Sequence, residues 1–524
     1  MDVESASVRV LILHGYLLAG TGSNVYNAAL AEALKRAGHE VHLLCQDRDP
    51  LALDWVDAAG AWDSGSLALT TRHEPAQATV YRPDIGGVLP LYVADRYEGI
   101  EARPFQDLSE EEVDRYLAGN VAAVREVAAR VRPDVALANH LVMGPAVLAR
   151  GLAEAGVPYA VKIHGSALEY TVKPYPRFMP YAREGLERAR GILVGSRHTA
   201  ESLWAAMDDP TVVERTRLGP PGVDVERFAP REPGHARQGL EELRARLAST
   251  EEAAETGSSF DRSAAEAAAA LATVEPDDRL VVFVGKLIAS KGVELLLAAW
   301  PLVLAREPRA RLLIVGFGAF RAALERLARD LGTGDLDAVR ALRGEGGGEL
   351  PHLAAFLDSL GGDDAGAYRA AARGMTDRIA WAGRLDHAEL PDVLPLAEAM
   401  VVPSTFPEAF GMVAAEAAAC GALPVVADHS GLAEVAHTLA QAVPGGARSW
   451  LSFEVGPGAV RELAGNLSGW MQAPAEIREA ARAGIVAAAR EHYSWDGVAR
   501  SVIAAARGEL EGLPLPAPDI QSSG

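Results

Sequence analysis

The chain has 524 residues, 49% of them hydrophobic and 23% charged, which is the composition of a globular protein with enough apolar material for more than one core. Its 50 Lys and Arg against 71 Asp and Glu leave a formal net charge of −21, which argues against nucleic acid or an anionic membrane as the main partner. The two cysteines form neither a disulfide framework nor a zinc-binding pair motif. The polar N-terminus and the lack of any apolar run of about 20 residues predict a cytoplasmic protein without a transmembrane segment.

The chain opens with a pattern typical of a βαβ unit. An apolar run over residues 8–13 predicts a buried strand, and it is followed by a glycine loop at 20–22 and by apolar residues at helical spacing. Ser23 or Asn24 is expected to cap that helix, and residues 41–45 predict the next strand. Such continuous apolar strands are typical of a parallel sheet that is covered on both faces. Further strands of this half are predicted at 135–138, 159–163 and 192–194.

A second series of alternating strands and helices follows in the other half of the chain. Its strands are predicted at 280–284, 311–315, 379–381, 399–402 and 423–426. Within 230–278 only the part near 240–247 predicts a surface helix and the remainder predicts a loop, while the glycine-rich insertion 331–376 interrupts the series. The Pro/Ser/Gly tail at 513–524 predicts disorder. The two halves therefore predict two doubly wound α/β domains, which bind ligands at the carboxyl ends of their strands.

The stretch after the strand at 399–402 is the richest in chemically useful residues. It runs from Pro403 to Met412 with Glu408 in the loop, and Glu416 follows in an Ala-rich helix. The first backbone N–H groups of a helix have no partner within it, which suits a phosphate, and two carboxylates can accept hydrogen bonds from the hydroxyls of a sugar and a ribose. The alternative is structural, with Glu408 capping the helix and Glu416 solvated.

Several motifs occur in a fixed order along the chain. Glu408-Ala409-Phe410-Gly411, with Glu416 and then Gly421 and Pro424, resembles the E-x7-E signature of the retaining glycosyltransferases of family 4, a GT-B group with glycogen synthase-like and sucrose synthase-like members. The supporting motifs are Gly38-His39-Glu40-Val41, Pro133-Asp134-Val135 with His140, His164-Gly165, Gly195-Ser196, Pro221-Gly222-Val223-Asp224 with Phe228, Val284-Gly285-Lys286 with Lys291-Gly292, and Val315-Gly316 with Gly318. The resemblance covers most of residues 8–500 outside the two insertions.

The resemblance implies a GT-B fold, in which two Rossmann-like doubly wound α/β domains face each other across a cleft. It places an acceptor-binding domain at 1–222 and a nucleotide-sugar-binding domain at 277–485, with a linker and an Ala/Glu-rich insertion at 223–276 between them. A helix within 486–512 is expected to cross back to the N-terminal domain.

The reaction implied by the resemblance is the transfer of a hexosyl group from a nucleotide-diphosphate sugar to an acceptor, with retention of the anomeric configuration. A UDP-sugar is the first expectation for the donor, and neither a cofactor nor a catalytic metal is expected. Asp335 and Asp337 could pass for a metal-binding D-x-D pair but are expected to be solvated charges. Two alternatives are a nonhydrolysing sugar-nucleotide epimerase and a sugar-nucleotide-binding protein that has lost catalysis.

Lysine is rare in this sequence, which contains five. Lys286 and Lys291 follow the strand at 280–284, at the strand end where such a sheet binds ligands. Two cations there would neutralise a diphosphate and stabilise the charge of the leaving group; the alternative is two solvated lysines. The family usually has Arg at the first position, so Lys286 keeps the charge but loses the bidentate geometry.

The resemblance also assigns roles to individual residues. The expected catalytic residues are His164, Glu408, Lys286 and Lys291. The expected donor-binding residues are Gly20, Gly22, Gly285, Arg384, Leu385, Phe410, Gly411, Met412, Val413 and Glu416. His164 is alternatively a structural histidine, and the glycine loop is alternatively a dinucleotide site, although Val25 stands where that motif requires its third glycine.

The acceptor is expected to bind to the N-terminal domain near His164. The expected acceptor-binding residues are His140, Tyr170, Lys173 and Tyr175. Tyrosine rings offer flat faces for a sugar and a lysine can hold an anion, so a polar acceptor is expected, with a sugar phosphate or a carboxylate-bearing sugar as the anionic candidates. The alternatives are that His140 caps a helix or packs, and that Lys173 pairs with Glu169, four residues earlier on a helix.

Overall fold

A computed structural model describes residues 7–20, 22–63, 65–92, 99–250 and 262–516. The chain divides into two compact units. Unit 1 comprises the described residues up to Gly222 and those from Trp495 onward, and unit 2 comprises those between Val223 and Ser494. Within the described residues, no helix combines the length and the apolar character that crossing a membrane requires.

The regular elements are numbered in chain order. The strands of the described residues are β1 Arg9–Leu13, β2 Glu40–Leu44, β3 Ala58–Asp63, β4 Ser66–Thr71, β5 Ala78–Arg82, β6 Val88–Leu91, β7 Glu101–Pro104, β8 Val135–Asn139, β9 Tyr159–Ile163, β10 Gly191–Val194, β11 Thr216–Leu218, β12 Arg279–Val284, β13 Ala310–Val315, β14 Ile379–Gly383, β15 Ala399–Val402, β16 Leu423–Ala427 and β17 Ser452–Phe453. The α-helices are α1 Gly22–Arg36, α2 Glu110–Val131, α3 Gly144–Gly151, α4 Met179–Glu187, α5 Arg197–Met207, α6 Pro210–Arg215, α7 Pro233–Ser249, α8 Ala264–Ala272, α9 Val293–Leu304, α10 Arg321–Thr333, α11 Leu336–Arg340, α12 Pro351–Asp358, α13 Gly362–Ala372, α14 Met412–Ala419, α15 Ser430–Ala440, α16 Ala459–Gln472, α17 Ala475–Tyr493 and α18 Trp495–Arg507.

Unit 1 contains a nine-stranded sheet in the order β11-β10-β9-β8-β1-β2-β5-β3-β4. Its strands pair in parallel except β3 with β4, and the central β1 lies between β2 and β8. All five strands predicted for this half are present, with small differences at their ends. Strands β3 to β7 and β11 were not predicted.

The alternating side chains of β1 enter two separate cores. Leu11 and Leu13 pack in the core on one face of the sheet, and Val10 and Ile12 pack in the core on the other face. A strand that is covered on both faces has apolar residues at consecutive positions. For this reason the position of β1 could be predicted. Helix α18 covers the second face, packing on β8, β9 and β10 and against α1.

Unit 2 contains a six-stranded parallel sheet in the order β14-β13-β12-β15-β16-β17. All five predicted strands are present, and β17 is an additional short edge strand. Strand β12 pairs with β13 on one side and with β15 on the other, so the strand order reverses between β12 and β15. The carboxyl ends of these two strands form the switch point, which is where doubly wound sheets bind ligands.

The segment 223–276 was predicted to be a linker and an insertion between the two domains. The structure instead makes it part of unit 2. Helix α7 begins at Pro233, well before the predicted surface helix, and α8 packs against both α7 and β14. Leu240, Leu243 and Leu271 on these helices belong to the core of unit 2. Residues 251–261 lie outside the described residues.

The glycine-rich insertion 331–376, which interrupts the predicted series of strands and helices, is itself largely helical. It contains α11, α12 and α13, and its helices bury Phe356 and Tyr368 in the core of unit 2. Tyr368 Oη donates a hydrogen bond to the carbonyl of Ala298 on α9 at 2.7 Å. Packing against α9 therefore stabilises α12 and α13.

The end of the chain differs from the predicted single helix at 486–512. Helix α17 ends at Tyr493 in unit 2, and α18 begins at Trp495 in unit 1. In the predicted disordered tail, the Pro514 carbonyl accepts a hydrogen bond from the Leu218 N–H at 2.8 Å. Residues 517–524 lie outside the described residues.

Candidate active site

Two loops meet at the switch point of unit 2. Gly292 follows β12 and has a left-handed backbone with φ of +66°, and a Cβ atom there would lie 2.0 Å from the carbonyl oxygen of Pro403, which follows β15. The Thr405 N–H donates to the Ser290 carbonyl at 2.9 Å. Position 292 therefore requires glycine, and the two loops are held in direct contact.

These loops bring Lys291 and Glu408 together. Lys291 Nζ forms an ion pair with Glu408 Oε1, and the same oxygen accepts a hydrogen bond from Ser404 Oγ at 2.6 Å. The two charged side chains are 28% and 23% exposed, so the pair is open to a ligand on one side. The N-cap of α14 is Gly411, and no side chain of the described residues caps this helix, so the alternative prediction that Glu408 caps it is wrong.

A histidine and a serine fix the backbone around Glu408. The Glu408 N–H donates to Ser430 Oγ at 2.9 Å, and Ser430 Oγ lies 3.0 Å from His429 Nδ1. His429 Nε2 is 2.8 Å from the carbonyl of Ser404, which can only accept, so Nε2 carries the proton and Nδ1 accepts from the serine hydroxyl. Ser404 lies in the stretch singled out from the sequence but was given no role, and His429 and Ser430 were not predicted because no local pattern distinguishes them from other polar loop residues.

Helix α14 starts directly after this loop. The chain passes close to α15, since a Cβ atom at Gly431 would lie 2.6 Å from Phe410 Cα, and the Phe410 ring packs edge-on against Tyr493 with centroids 5.4 Å apart. Because no side chain caps the helix, the N–H groups of Met412 and Val413 and the helix dipole make its start suited to an anion.

Glu416 is buried, so the alternative prediction that it is solvated is wrong. The residue is 2% exposed, and its Oε1 accepts a hydrogen bond from His387 Nε2 at 2.7 Å. Burial lowers the pKa of His387, but the hydrogen bond to Glu416 and its charge outweigh burial and raise that pKa overall. Glu416 Oε2 is buried and has no hydrogen-bond partner within the part of the chain that the structure describes. A ligand hydroxyl would satisfy this acceptor.

The other donor-binding residues predicted in unit 2 follow strands of the same sheet. Gly285 comes directly after β12 and donates its N–H to the Val315 carbonyl at 3.0 Å, and Lys286 beside it is exposed. After β14, Arg384 pairs with Asp386 at 2.8 Å and Leu385 is buried. The structure therefore places the predicted residues of this unit at the carboxyl ends of β12, β14 and β15.

In unit 1, His164 follows β9 and is held by Asn139 at the end of β8. Its Nε2 lies 2.8 Å from Asn139 Oδ1, and its ring packs edge-on against Tyr26 with centroids 5.0 Å apart. Burial, together with nearby His140 and Lys162, holds the pKa of His164 well below its usual range. The imidazole is therefore neutral at physiological pH.

His140 lies in the interior of unit 1. It is 2% exposed, and its ring centroid lies 4.5 Å from that of Tyr92 and 4.9 Å from that of His164. Neither ring nitrogen has a hydrogen-bond partner among the described residues. This position favours the packing alternative over contact with an acceptor.

The glycine loop of unit 1 leads into α1. Gly20 is exposed and has φ of +98°, and Thr21 lies outside the described residues. Helix α1 begins at Gly22, so Ser23 and Asn24 lie in its first turn and the prediction that either caps the helix is wrong. The Asn24 side chain reaches back towards β1 instead of capping.

The predicted acceptor segment has one paired cation and two exposed rings. Lys173 Nζ lies 2.6 Å from Glu169 Oε2 and 3.1 Å from Ser202 Oγ, which is the pairing alternative. Tyr170 and Tyr175 are 48% and 38% exposed. The segment therefore offers aromatic faces to a ligand, while the charge of Lys173 is already balanced.

One residue of the D-x-D pair, Asp335, has a structural role. Asp335 caps α11 by accepting a hydrogen bond from the Ala338 N–H at 3.0 Å, and the Asp337 side chain is fully exposed. Across the described ranges, no group of three or more His, Cys, Asp or Glu side chains is arranged to hold a metal ion.

Family models match both units of the chain. The Glycosyltransferase Family 4 model matches residues 20–227, and two Glycosyl transferases group 1 models match 278–343 and 362–443. The matched regions include His164, Lys291 and Glu408 and exclude most of the helical segment at 223–276.

Similar proteins have glycosyltransferase names. The chain is 29% identical over 441 residues to a D-inositol 3-phosphate glycosyltransferase of Actinosynnema mirum, covering 79% of this chain and 83% of that one. It is 30% identical over 257 residues to the protein of the same name from Segniliparus rotundus, covering 49% of this chain and only 45% of the relative's length.

Solved structures share the fold at low sequence identity. Sucrose-phosphate synthase from Thermosynechococcus elongatus has a TM-score of 0.57 at 19% identity, with 95% of this chain and 98% of that chain covered. HepE from Anabaena, in complex with UDP and glucose, has a TM-score of 0.54 at 15% identity with the same coverage.

Two doubly wound α/β units with parallel central strands, matched over nearly their whole length by these structures, define the GT-B fold class. The predicted fold class is confirmed. Family models on both units and relatives with glycosyltransferase names support a glycosyltransferase of the family 4 type, the group that the motifs of the chain resemble.

Proposed function

We propose that the protein transfers a glycosyl group from a nucleotide-diphosphate sugar to an acceptor hydroxyl, with retention at the anomeric carbon. The proposal depends above all on the meeting of a lysine, a carboxylate and an uncapped helix start at the switch point of unit 2. Lys291, Glu408 and the first N–H groups of α14 come from the loops after two adjacent strands. A cation and helix N–H groups suit a diphosphate, and carboxylate oxygens suit sugar hydroxyls.

In the proposed reaction, the bond between the anomeric carbon and the phosphate oxygen breaks while the acceptor oxygen bonds to that carbon from the same face. The acceptor proton passes to the leaving phosphate. Lys286 and Lys291 stabilise the negative charge that develops on this group, and neither a cofactor nor a catalytic metal is invoked. Glu408 holds hydroxyls of the donor sugar, Glu416 holds the ribose, and His164 acts near the reacting carbon.

A UDP-sugar is the proposed donor. The similarity in fold to Anabaena HepE, whose structure contains UDP and glucose, supports a uridine nucleotide. We assign recognition of the base to the backbone near Arg384 and Leu385, because Arg384 is paired with Asp386 and Leu385 is buried. Gly20 and Gly22 leave room for the phosphates and the sugar to approach the backbone.

The proposed acceptor is polar and phosphorylated. The Actinosynnema and Segniliparus relatives are named for D-inositol 3-phosphate, which supports a phosphorylated polyol. Tyr170 and Tyr175 would contact the ring of the acceptor, since both are exposed. Lys173 would hold the phosphate by exchanging its carboxylate partner Glu169 for the ligand.

Lys173→Ala is therefore expected to raise the KM for a phosphorylated acceptor about 10- to 100-fold, the loss of one charge-assisted hydrogen bond, with an unchanged KM for the donor. Glu169→Gln is the matched variant: it releases the same lysine from its partner and should lower the acceptor KM. Steady-state kinetics with each substrate varied in turn measure both effects. An unchanged acceptor KM in Lys173→Ala would assign this lysine to the surface.

The test of the proposed function is incubation of the protein with UDP-sugars, GDP-mannose and candidate polyol phosphates, with free nucleoside diphosphate as the readout. Release that depends on the acceptor, with a product whose anomeric configuration matches the donor by NMR, is the expected result. Isomerised donor without acceptor would instead identify an epimerase. Binding of nucleotide sugars in a thermal-shift assay without any turnover would identify an inactive binding protein.

A further inference from the structure

Three buried asparagine side chains of unit 1 are each oriented by a backbone carbonyl. The bonds are Asn139 Nδ2 to Leu13 O at 3.3 Å, Asn27 Nδ2 to Ser23 O at 2.8 Å, and Asn24 Nδ2 to Ala19 O at 2.6 Å. Because a carbonyl oxygen only accepts, the NH2 group of each amide must make this contact. The side-chain oxygen of each asparagine is thereby fixed towards its other neighbours.

The orientation of these amides determines where two histidines carry their protons. Asn139 Oδ1 faces His164 Nε2 at 2.8 Å and Asn24 Oδ1 faces His14 Nε2 at 2.9 Å, so both nitrogens must be donors. Between them, Asn139 Nδ2 donates to Asn27 Oδ1 at 2.7 Å, and Asn27 Nδ2 donates to His14 Nδ1 at 3.0 Å. One chain of hydrogen bonds, all donated in the same direction, runs from His164 to the carbonyl that precedes the glycine loop.

We propose that Asn139 is a positioning residue that holds His164 as the Nε2–H tautomer and leaves Nδ1 as the acceptor of the ring. In this state His164 can accept a hydrogen bond from a ligand hydroxyl but cannot donate a proton to it. Asn139 and Asn27 are 1% and 0% exposed, so neither amide can exchange its partner for bulk water. The consequence for catalysis rests on the proposed glycosyl transfer, whereas the tautomer itself does not.

The groups around His164 are compatible with a neutral ring. His140 and Tyr26 pack against it, and His14 and Lys162 act on it electrostatically. Burial lowers the pKa of His14 to about 4 and that of Lys162 to about 7. Among these four groups, Lys162 changes its charge near neutral pH.

The tautomer can be measured directly on the intact protein labelled with ¹⁵N-histidine. Long-range ¹H–¹⁵N correlation spectra distinguish Nε2–H from Nδ1–H, and the His164→Gln variant assigns the signal. We expect the Nε2–H form in the wild type at neutral pH and above. A protonated Nδ1, or a mixture of both tautomers, would overturn the proposal even if the protein showed no turnover.

The Asn139→Asp variant keeps the acceptor at Oδ1 but adds a negative charge beside His164, which favours imidazolium. We expect the pKa of His164 to rise, turnover at pH 7 to fall on the order of 100-fold, and at least part of this loss to recover towards pH 9 as the ring becomes neutral. A loss of turnover that does not change with pH, or a His164 pKa that does not move, would reduce Asn139 to a structural role.

Asn120→Asp is the matched control. Asn120 lies on α2 of unit 1 and is also 1% exposed. Its Nδ2 donates to the Tyr116 carbonyl and does not take part in the chain of hydrogen bonds that leads to His164. It introduces a buried aspartate of the same size, so thermal unfolding of the two variants separates a general loss of stability from the specific effect. Its pH profile should match the wild type; a shift like that of Asn139→Asp would overturn the proposal.

Discussion

Replacing Lys291 with alanine is expected to lower kcat/KM for the nucleotide sugar by about 10²- to 10³-fold, the size of effect seen when one charge-stabilising group is removed from a preorganised site. Lys291 is the cation that the loop after β12 places against Glu408. Its removal takes away positive charge from the leaving diphosphate and also leaves the Glu408 carboxylate without its ion-pair partner. Steady-state kinetics measure the loss in kcat/KM, and the apparent Kd for UDP measures the loss in nucleotide binding.

Two control variants test whether the effect depends on the charge and on the position of Lys291. Lys291→Arg keeps the charge and should retain more activity than the alanine variant. Arg309→Ala removes a cation of unit 2 that is 60% exposed and pairs with Glu307 at 3.5 Å, and it should leave kinetics unchanged. Because Lys291 and Glu408 act as one pair, the double variant with Glu408→Gln should lose less than the sum of the single losses. Wild-type kinetics in Lys291→Ala would remove the lysine from the proposed donor site.

The central strands of both sheets could be predicted because each is covered on two faces. Their residues form continuous apolar runs, as in β1 and β15, and the runs end where the strands end. The hairpin β3–β4 lies at the sheet edge, and its second strand, Ser66–Thr71, is mostly exposed, so no apolar run marks it. A strand at the edge of the sheet is exposed and therefore lacks the apolar run from which the central strands were predicted.

The helices of the glycine-rich insertion were not predicted, for a different reason. Their local sequence pattern is weak, and it is the packing of Phe356 and Tyr368 into the core of unit 2 that stabilises them. The same holds for α8, whose alanines carry little periodic pattern but are buried against α7 and β14.

Motif order singled out Lys291, Glu408, Glu416 and His164. Lys291, Glu408 and His164 belong to motifs that follow strand ends, and Glu416 lies eight positions after Glu408 in the E-x7-E motif. The sequence did not indicate which residues support them. His387 lies 29 positions before its partner Glu416, and Asn139 lies 25 before His164, so nothing local in the sequence links the members of either pair. Hydrogen-bond partners of this kind become visible only when the fold brings separate loops together.

Glu416→Leu is expected to separate stability from ligand binding. The buried Oε2 of Glu416 has no hydrogen-bond partner among the described residues, and a buried unsatisfied acceptor costs about 1–3 kcal/mol. Its replacement by an apolar group of similar size removes this cost together with the bond to His387. At a pH above the raised pKa of His387, where that pair no longer adds stability, the melting temperature of the unliganded protein should therefore stay unchanged or rise. If Oε2 accepts a hydrogen bond from the ribose, the same change should weaken UDP binding about 10- to 100-fold.

Glu294→Leu supplies the comparison for this result. Glu294 on α9 is 3% exposed, its Oε2 also lacks a partner within the described chain, and burial raises its pKa to about 7. It should therefore respond to leucine in the same way in thermal unfolding, but with unchanged affinity for UDP, because no ligand role is assigned to it. Calorimetric titration with UDP and thermal unfolding of both variants make the comparison.

His387 provides an internal check on the Glu416 variant. Its pKa is raised in the wild type because the bond to Glu416 outweighs burial, so the stabilisation from this pair is fully present below the usual histidine pKa near 6.5 and is lost as pH rises through the raised value. In Glu416→Leu the pKa of His387 should fall below that of the wild type, measured by NMR titration, and this part of the pH dependence of stability should disappear. A Glu416→Leu protein that binds UDP as tightly as the wild type, with the His387 pKa shifted as expected, would show that the carboxylate orients His387 and does not hold the ribose.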